Sequence, residues 1–83
     1  MTAGTGIVYV VLWQDRHTDT TVHVFTDRDE ASSWALQCAQ DEASRAAHRQ
    51  VTEEHTEGEV IAFCYSPEGD RLRVFAVQVD QRA

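Results

Sequence analysis

Residues 60–79, VIAFCYSPEGDRLRVFAVQV, set two apolar runs around one turn. Ser66-Pro67-Glu68-Gly69-Asp70 carries the turn chemistry. Pro67 presets φ for the second position of a type I turn, and Gly69 can take the left-handed conformation that follows, so the spacing predicts a three-residue loop with a bulge. That loop sets Ser66 opposite Asp70. Cys64 then faces Leu72, Ala62 faces Val74 and Val60 faces Ala76, all on one side of the ribbon because side chains alternate with period two. On the other side Tyr65 faces Arg71, Phe63 faces Arg73, Ile61 faces Phe75 and Glu59 faces Val77. One face is small and aliphatic and the other aromatic, and neither alternates with polar residues as a half-exposed strand would. Both faces therefore need cover. A slip of one residue would turn one strand over.

Working outward, Ile7 to Gln14 reads as a strand, with Thr21 to Thr26 returning after a polar loop at 15–20. The simple antiparallel register pairs Tyr9 with Phe25, Val11 with His23 and Trp13 with Thr21 on one face. Val10 then pairs with Val24, and Leu12 with Val22, on the other. Both hairpins thus predict one aliphatic and one aromatic face. The aromatic face collects Tyr9, Val11, Trp13, His23, Phe25, Ile61, Phe63, Tyr65, Arg73 and Phe75.

Asp27 reads as a helix N-cap with Glu30 at the capping-box spacing, and Asp29 suits the positive end of the dipole. The helix is expected over about 28–50. Its apolar stripe is Ala35, Leu36, Ala39, Ala43, Ala46 and Ala47, flanked by Trp34 and Cys38. Asp41 and Arg45 are spaced as a solvated i,i+4 pair. Residues 51–58, VTEEHTEG, read as an acidic connection, and residues 1–6 as a flexible start.

The expected fold is α+β in the order ββαββ. It is a single 1–83 domain, with a four-stranded, mainly antiparallel sheet and one helix on one face. The third strand should run parallel to the second. That would bring the 15–20 loop and the 51–58 connection to one end and the 66–70 turn to the other. The helix is assigned to the aliphatic face, against the argument that small alanines pack well on large aromatics. The face left open is expected to make a homodimer.

The chain has 83 residues, which gives a modest core. Its formal charge of −7 opposes a general nucleic-acid binder, which works by neutralising phosphate, and opposes docking on an anionic membrane. The basic side chains are all arginine. Cys38 and Cys64 form no CxxC pair and read as free thiols. With no leader pattern at the N-terminus and no long apolar run, a cytoplasmic location is expected.

Candidate chemistry is sparse. Asp15, His17, Asp19 and His55, with His48 nearby, could offer imidazole and carboxylate to a divalent metal, although no motif-grade spacing is present. The alternative is that Asp15 and Asp19 make turn hydrogen bonds. His23, mid-strand among aromatics, could serve as a general base, or be a packed polar residue. No catalytic residue and no cofactor is assigned. The leading expectation is a small self-associating interaction or regulatory module whose partners are itself and a protein or small molecule. The alternatives are a small enzyme or metal-binding protein, or an acidic mimic of nucleic acid that inhibits a basic protein.

Overall fold

β1 (Thr5–Gln14) and β5 (Arg71–Asp80) are the longest strands, ten residues each, and they lie side by side at the middle of the sheet. Their β-branched and aromatic residues suit a pleated surface packed on neighbours. The computed structural model describes residues 5–45, 50–66 and 68–80. β2 (Thr21–Phe25) pairs with β1, and β4 (Ile61–Cys64) with β5. α1 (Arg28–Arg45) links β2 to β3 (Thr52–Glu54), which closes the far edge beside β4. The order across the sheet is β2-β1-β5-β4-β3, and every neighbouring pair is antiparallel.

The α+β class agrees with the expectation, but the order is ββαβββ. The additional strand β3 lies in what the sequence reads as a connection. It changes the direction of everything after it. β4 runs antiparallel to β5, and β5 antiparallel to β1, so β4 runs with β1 and opposite to β2. The 65–70 turn therefore lies at the same end as the 15–20 loop. The amide of Arg16 donates to Asp70 Oδ1 at 2.9 Å, and the Arg16 guanidinium pairs with Glu68.

The first hairpin has the expected register, Tyr9 with Phe25 through Trp13 with Thr21. The second is shifted by one residue. Phe63 pairs with Leu72, Ile61 with Val74, and Ala62 with Arg73. The loop explains the shift. Tyr65 N donates to Asp70 O at 3.1 Å and Gly69 N to Ser66 O at 3.0 Å, so four residues turn the chain. Gly69 takes φ of 97°, where a side chain would be strained. Val60 N also donates to Val74 O at 2.8 Å, which sets Val60 and Ile61 opposite one residue, as in a β-bulge.

The shift turns β4 over. Phe63 and Tyr65 join Leu72, Val74 and Val11 on one face, and all five are buried. α1 covers that face through Ala31, Ala35, Ala39 and Ala43, each one turn from the next. The helix is thus on the aromatic side, which corrects the assignment to the aliphatic one. Volume decides it: a stripe of methyl groups lets the helix approach large rings closely. Ala39 is fully buried at that contact. Ala39→Leu should overpack it and cost about 1–3 kcal/mol, read as a lower urea midpoint with unchanged slope.

The helix starts as expected. Asp27 Oδ1 accepts the Asp29 amide at 3.0 Å, and Ala31 N donates to Asp27 O at 3.0 Å. Trp34 leans onto the sheet near β2, edge-on to Trp13 at 6.1 Å and tilted against Phe25 at 5.5 Å. Arg45 pairs with Glu42 rather than Asp41, which instead accepts Gln37 Nε2. The expected stripe residues Ala46 and Ala47, His48, Pro67 and the expected flexible residues 1–4 lie outside the described residues. Thr5 and Gly6, also read as flexible, belong to β1. Among the described residues no helix is long and apolar enough to cross a membrane.

Candidate functional site

Three features could carry function: the uncovered sheet face, a hydrogen-bonded network at the 15–20 loop, and the cleft beside it. The uncovered face divides in two. Over β3 and β4 it is polar and closed. Arg73 Nε donates to Glu59 Oε2 at 2.6 Å, and Arg71 Nη1 lies 3.2 Å from Glu54 Oε1. Ala62, paired with both Arg73 and Glu54, is only 1% exposed.

Over β1, β2 and β5 the same face is apolar and open. Val8, Val10 and Leu12 of β1 alternate onto it, opposite Val77, Phe75 and Arg73 of β5. Val22 and Val24 of β2 extend it, being paired with Leu12 and Val10. Val24 is 62% exposed, Val22 57% and Val77 41%. The Arg73 guanidinium carbon lies 5.4 Å from the Phe75 ring centroid and marks the boundary between the halves. No lysine, aspartate or glutamate falls among the apolar positions named here.

This corrects the expected interaction face. Tyr9, Val11, Trp13, His23 and Phe25 lie on the helix side, as do Ile61, Phe63 and Tyr65. Of the expected face, Arg73 and Phe75 alone remain on the open side, because the register shift separates β5 from β4. The rings are packed beneath a helix, so they form no open stacking platform. The open apolar residues of β1 and β2 are the aliphatic face that the sequence shows in the first hairpin, joined here by Phe75 and Val77 of β5.

The network sits where β1 and β4 end. Tyr65 OH donates to Asp15 Oδ2 at 2.5 Å and accepts the Trp13 indole N–H at 2.9 Å. Asp15 Oδ1 accepts the His17 amide at 2.8 Å and lies 3.1 Å from His17 Nδ1. The bond from Tyr65, foremost, holds the Asp15 carboxyl below the usual carboxylate range; the bonds from His17 add to it, and burial opposes them. Burial, with the Asp15 bond second, pushes the Tyr65 phenol far above its ordinary value. The pair is therefore a fixed carboxylate and a fixed O–H donor, suited to holding the loop rather than to moving protons.

Asp15, His17 and Asp70 bring one ligand atom each within 4.8 Å of one another. The expected metal set is not assembled. His55 follows β3, the edge strand three places across the sheet from β1, whereas His17 follows β1 directly, so the two are separated across the sheet. His55 meets Glu53 at 3.1 Å. Asp15 and Asp70 already accept bonds from Tyr65, His17 and Arg16, which matches the turn-bonding alternative for Asp15.

His23 lies tilted at 46° against Trp34 with centroids 4.4 Å apart, and its Nε2 lies 3.2 Å from Thr21 Oγ1. That partner is a hydroxyl rather than a carboxylate, so among the described residues His23 is not seen in an acid–base pair. Both cysteines are free. Burial, then the charges of Asp41 and Glu42, pushes the Cys38 thiol up and makes it a poor nucleophile. Cys64 Sγ donates to Ser66 O.

A cleft of about 450 Å3 opens between the loop and α1, lined by Trp13 and His23, the carboxylates of Asp15, Asp19 and Glu42, and two threonines. Compared with protein-family models, curated proteins and solved structures, the chain matches none.

Proposed function

We propose that the protein is a self-associating interaction module, and that a second copy covers the open half of its sheet. One observation carries this reading: a continuous aliphatic surface over β1, β2 and β5, with Val22, Val24 and Val77 each more than two-fifths exposed. Patches of this kind mark interaction sites. A second copy fits it for three reasons. The patch is uncharged, so a net charge of −7 per copy is held away from the contact. The arginines beside it are already paired, so neither is left to seek an acidic partner. The strands supply area: β1 and β5 at ten residues and β2 at five cover roughly 400 Å2 per copy, or roughly 800 Å2 for two copies before side-chain relief is counted. Side-chain relief brings this toward the ~1,200 Å2 at which specific interfaces begin.

Face-to-face packing also supports the fold itself. The largest fully buried side chains are Leu72, Val11 and Val74, a small core for a free-standing domain. Light scattering should give twice the 9.4 kDa chain mass at tens of micromolar. Val24→Asp should give the monomer mass with an unchanged circular dichroism spectrum, because Val24 is exposed in the single chain. A monomeric wild type, or a Val24→Asp variant that remains a dimer, overturns the proposal.

A further inference from the structure

We infer that the cleft beside Trp13 binds an organic cation, a guanidinium or ammonium head on an apolar stem. This site lies on the helix side of the sheet, away from the proposed dimer face, and its test is independent of that reading.

The first argument is shape. At about 450 Å3, the cleft falls within the ~300–1,000 Å3 of small-molecule sites. The second is charge. Asp15, Asp19 and Glu42 line it, and no arginine does. The Arg16 guanidinium is held by Glu68, and Arg45, 76% exposed, pairs at 3.8 Å with Glu42 of the lining, a long contact that a bound cation would compete with. His17 bonds to Asp15 from the loop side. Asp15 is held ionised by the fixed Tyr65 donor, so part of this charge is permanent above mildly acidic pH.

The third argument is the ring surface. Trp13 lines the cleft, and its orientation is fixed twice, by the bond from its indole N–H to Tyr65 and by the edge contact with Trp34. His23, tilted against Trp34, is held beside it. An indole face attracts a cation, and carboxylates replace the water that the cation gives up. The hydroxyls of Thr18 and Thr21 can accept remaining N–H groups. An anion would be repelled by three carboxylates, and a neutral molecule would gain no charge attraction from them.

Butylguanidinium and its neutral counterpart butylurea separate these cases. Titrated into the full chain at 20 mM salt, with tryptophan fluorescence and calorimetry as readouts, butylguanidinium should saturate in the submillimolar to millimolar range and butylurea should not bind. Asp19→Asn combined with Glu42→Gln should weaken binding at least tenfold with no change in melting temperature, since both side chains reach solvent. Raising salt to 200 mM should weaken it severalfold. A blocked Gly-Arg-Gly peptide run in parallel distinguishes a protein-borne arginine, if it binds at least as tightly, from a free small cation, if it does not bind. Equal binding of cation and urea, binding of neither, or full affinity in the double variant overturns the inference.

Discussion

Phe63→Ala should cost about 3–5 kcal/mol, enough to leave much of the protein unfolded at 25 °C. A domain of 83 residues carries roughly 4–12 kcal/mol in total. Phe63 is 4% exposed, pairs with Leu72 across β4 and β5, and belongs to the cluster under the alanine stripe of α1. Truncation removes most of a ring and leaves a void that neither alanines nor a closed sheet can fill. The measurement is urea unfolding at fixed protein concentration, in the Val24→Asp background so that assembly does not enter. Phe75→Ala is the control. Phe75 lies on the open face and should lose under about 1.5 kcal/mol as a monomer. In the register read from the sequence, Phe63 and Phe75 share a face and the two variants would behave alike. Equal losses would refute the observed register.

That contrast shows where legibility ended. The first hairpin was readable because its loop is long and polar and its strands are unambiguous, so Tyr9 to Trp13 fell opposite Phe25 to Thr21 as expected. The Asp27 cap was readable because its chemistry is local. The second hairpin was not. Ser66-Pro67-Glu68-Gly69-Asp70 accommodates either a three- or a four-residue loop, and one residue decides which face Phe63 joins. Burial of Phe63 and Tyr65 with Leu72 favours the second, and that energy comes from α1, far away in sequence. β3 was invisible for a related reason. Thr52-Glu53-Glu54 has no strand-like pattern of its own and is a strand because β4 offers it an edge. Its acidic side chains then blunt the new edge. Its presence reverses the direction of β4 and sets His55 after the edge strand, three places across the sheet from β1, so His17 and His55, expected together, lie apart.

The candidate cleft suffered the same fate in part. The sequence points to Asp15, Asp19, Trp13 and His23 individually, but for a metal, a dimer face and a base. Nothing in the sequence points to Glu42, since a glutamate on a helix reads as a solvated residue. Tyr65 and Asp70, which hold the loop, come from a turn that the sequence places at the other end of the sheet.

Asp15→Ala should cost about 3 kcal/mol at pH 7, a loss out of proportion to a loop residue. The substitution leaves the Tyr65 O–H, on a residue 3% exposed, without its acceptor, and releases the turn that the His17 amide closes. A buried donor deprived of its partner costs about 1–3 kcal/mol, and bonds to a charged acceptor are worth more than neutral ones. Tyr65→Phe removes the orphan. In that background Asp15→Ala should cost markedly less, and the double-mutant cycle should show coupling above about 1 kcal/mol. The pH dependence follows from the depressed carboxyl. Its folded pKa lies below the ordinary 3.8, so its contribution is fully present above that value and is lost as pH falls through the folded one. The gap in urea midpoint between wild type and Asp15→Ala should be constant from pH 7 to about 5 and narrow from there toward pH 3. A gap that stays constant to pH 3 would show that Asp15 holds the loop by shape alone and that its charge, on which the cleft also depends, contributes nothing.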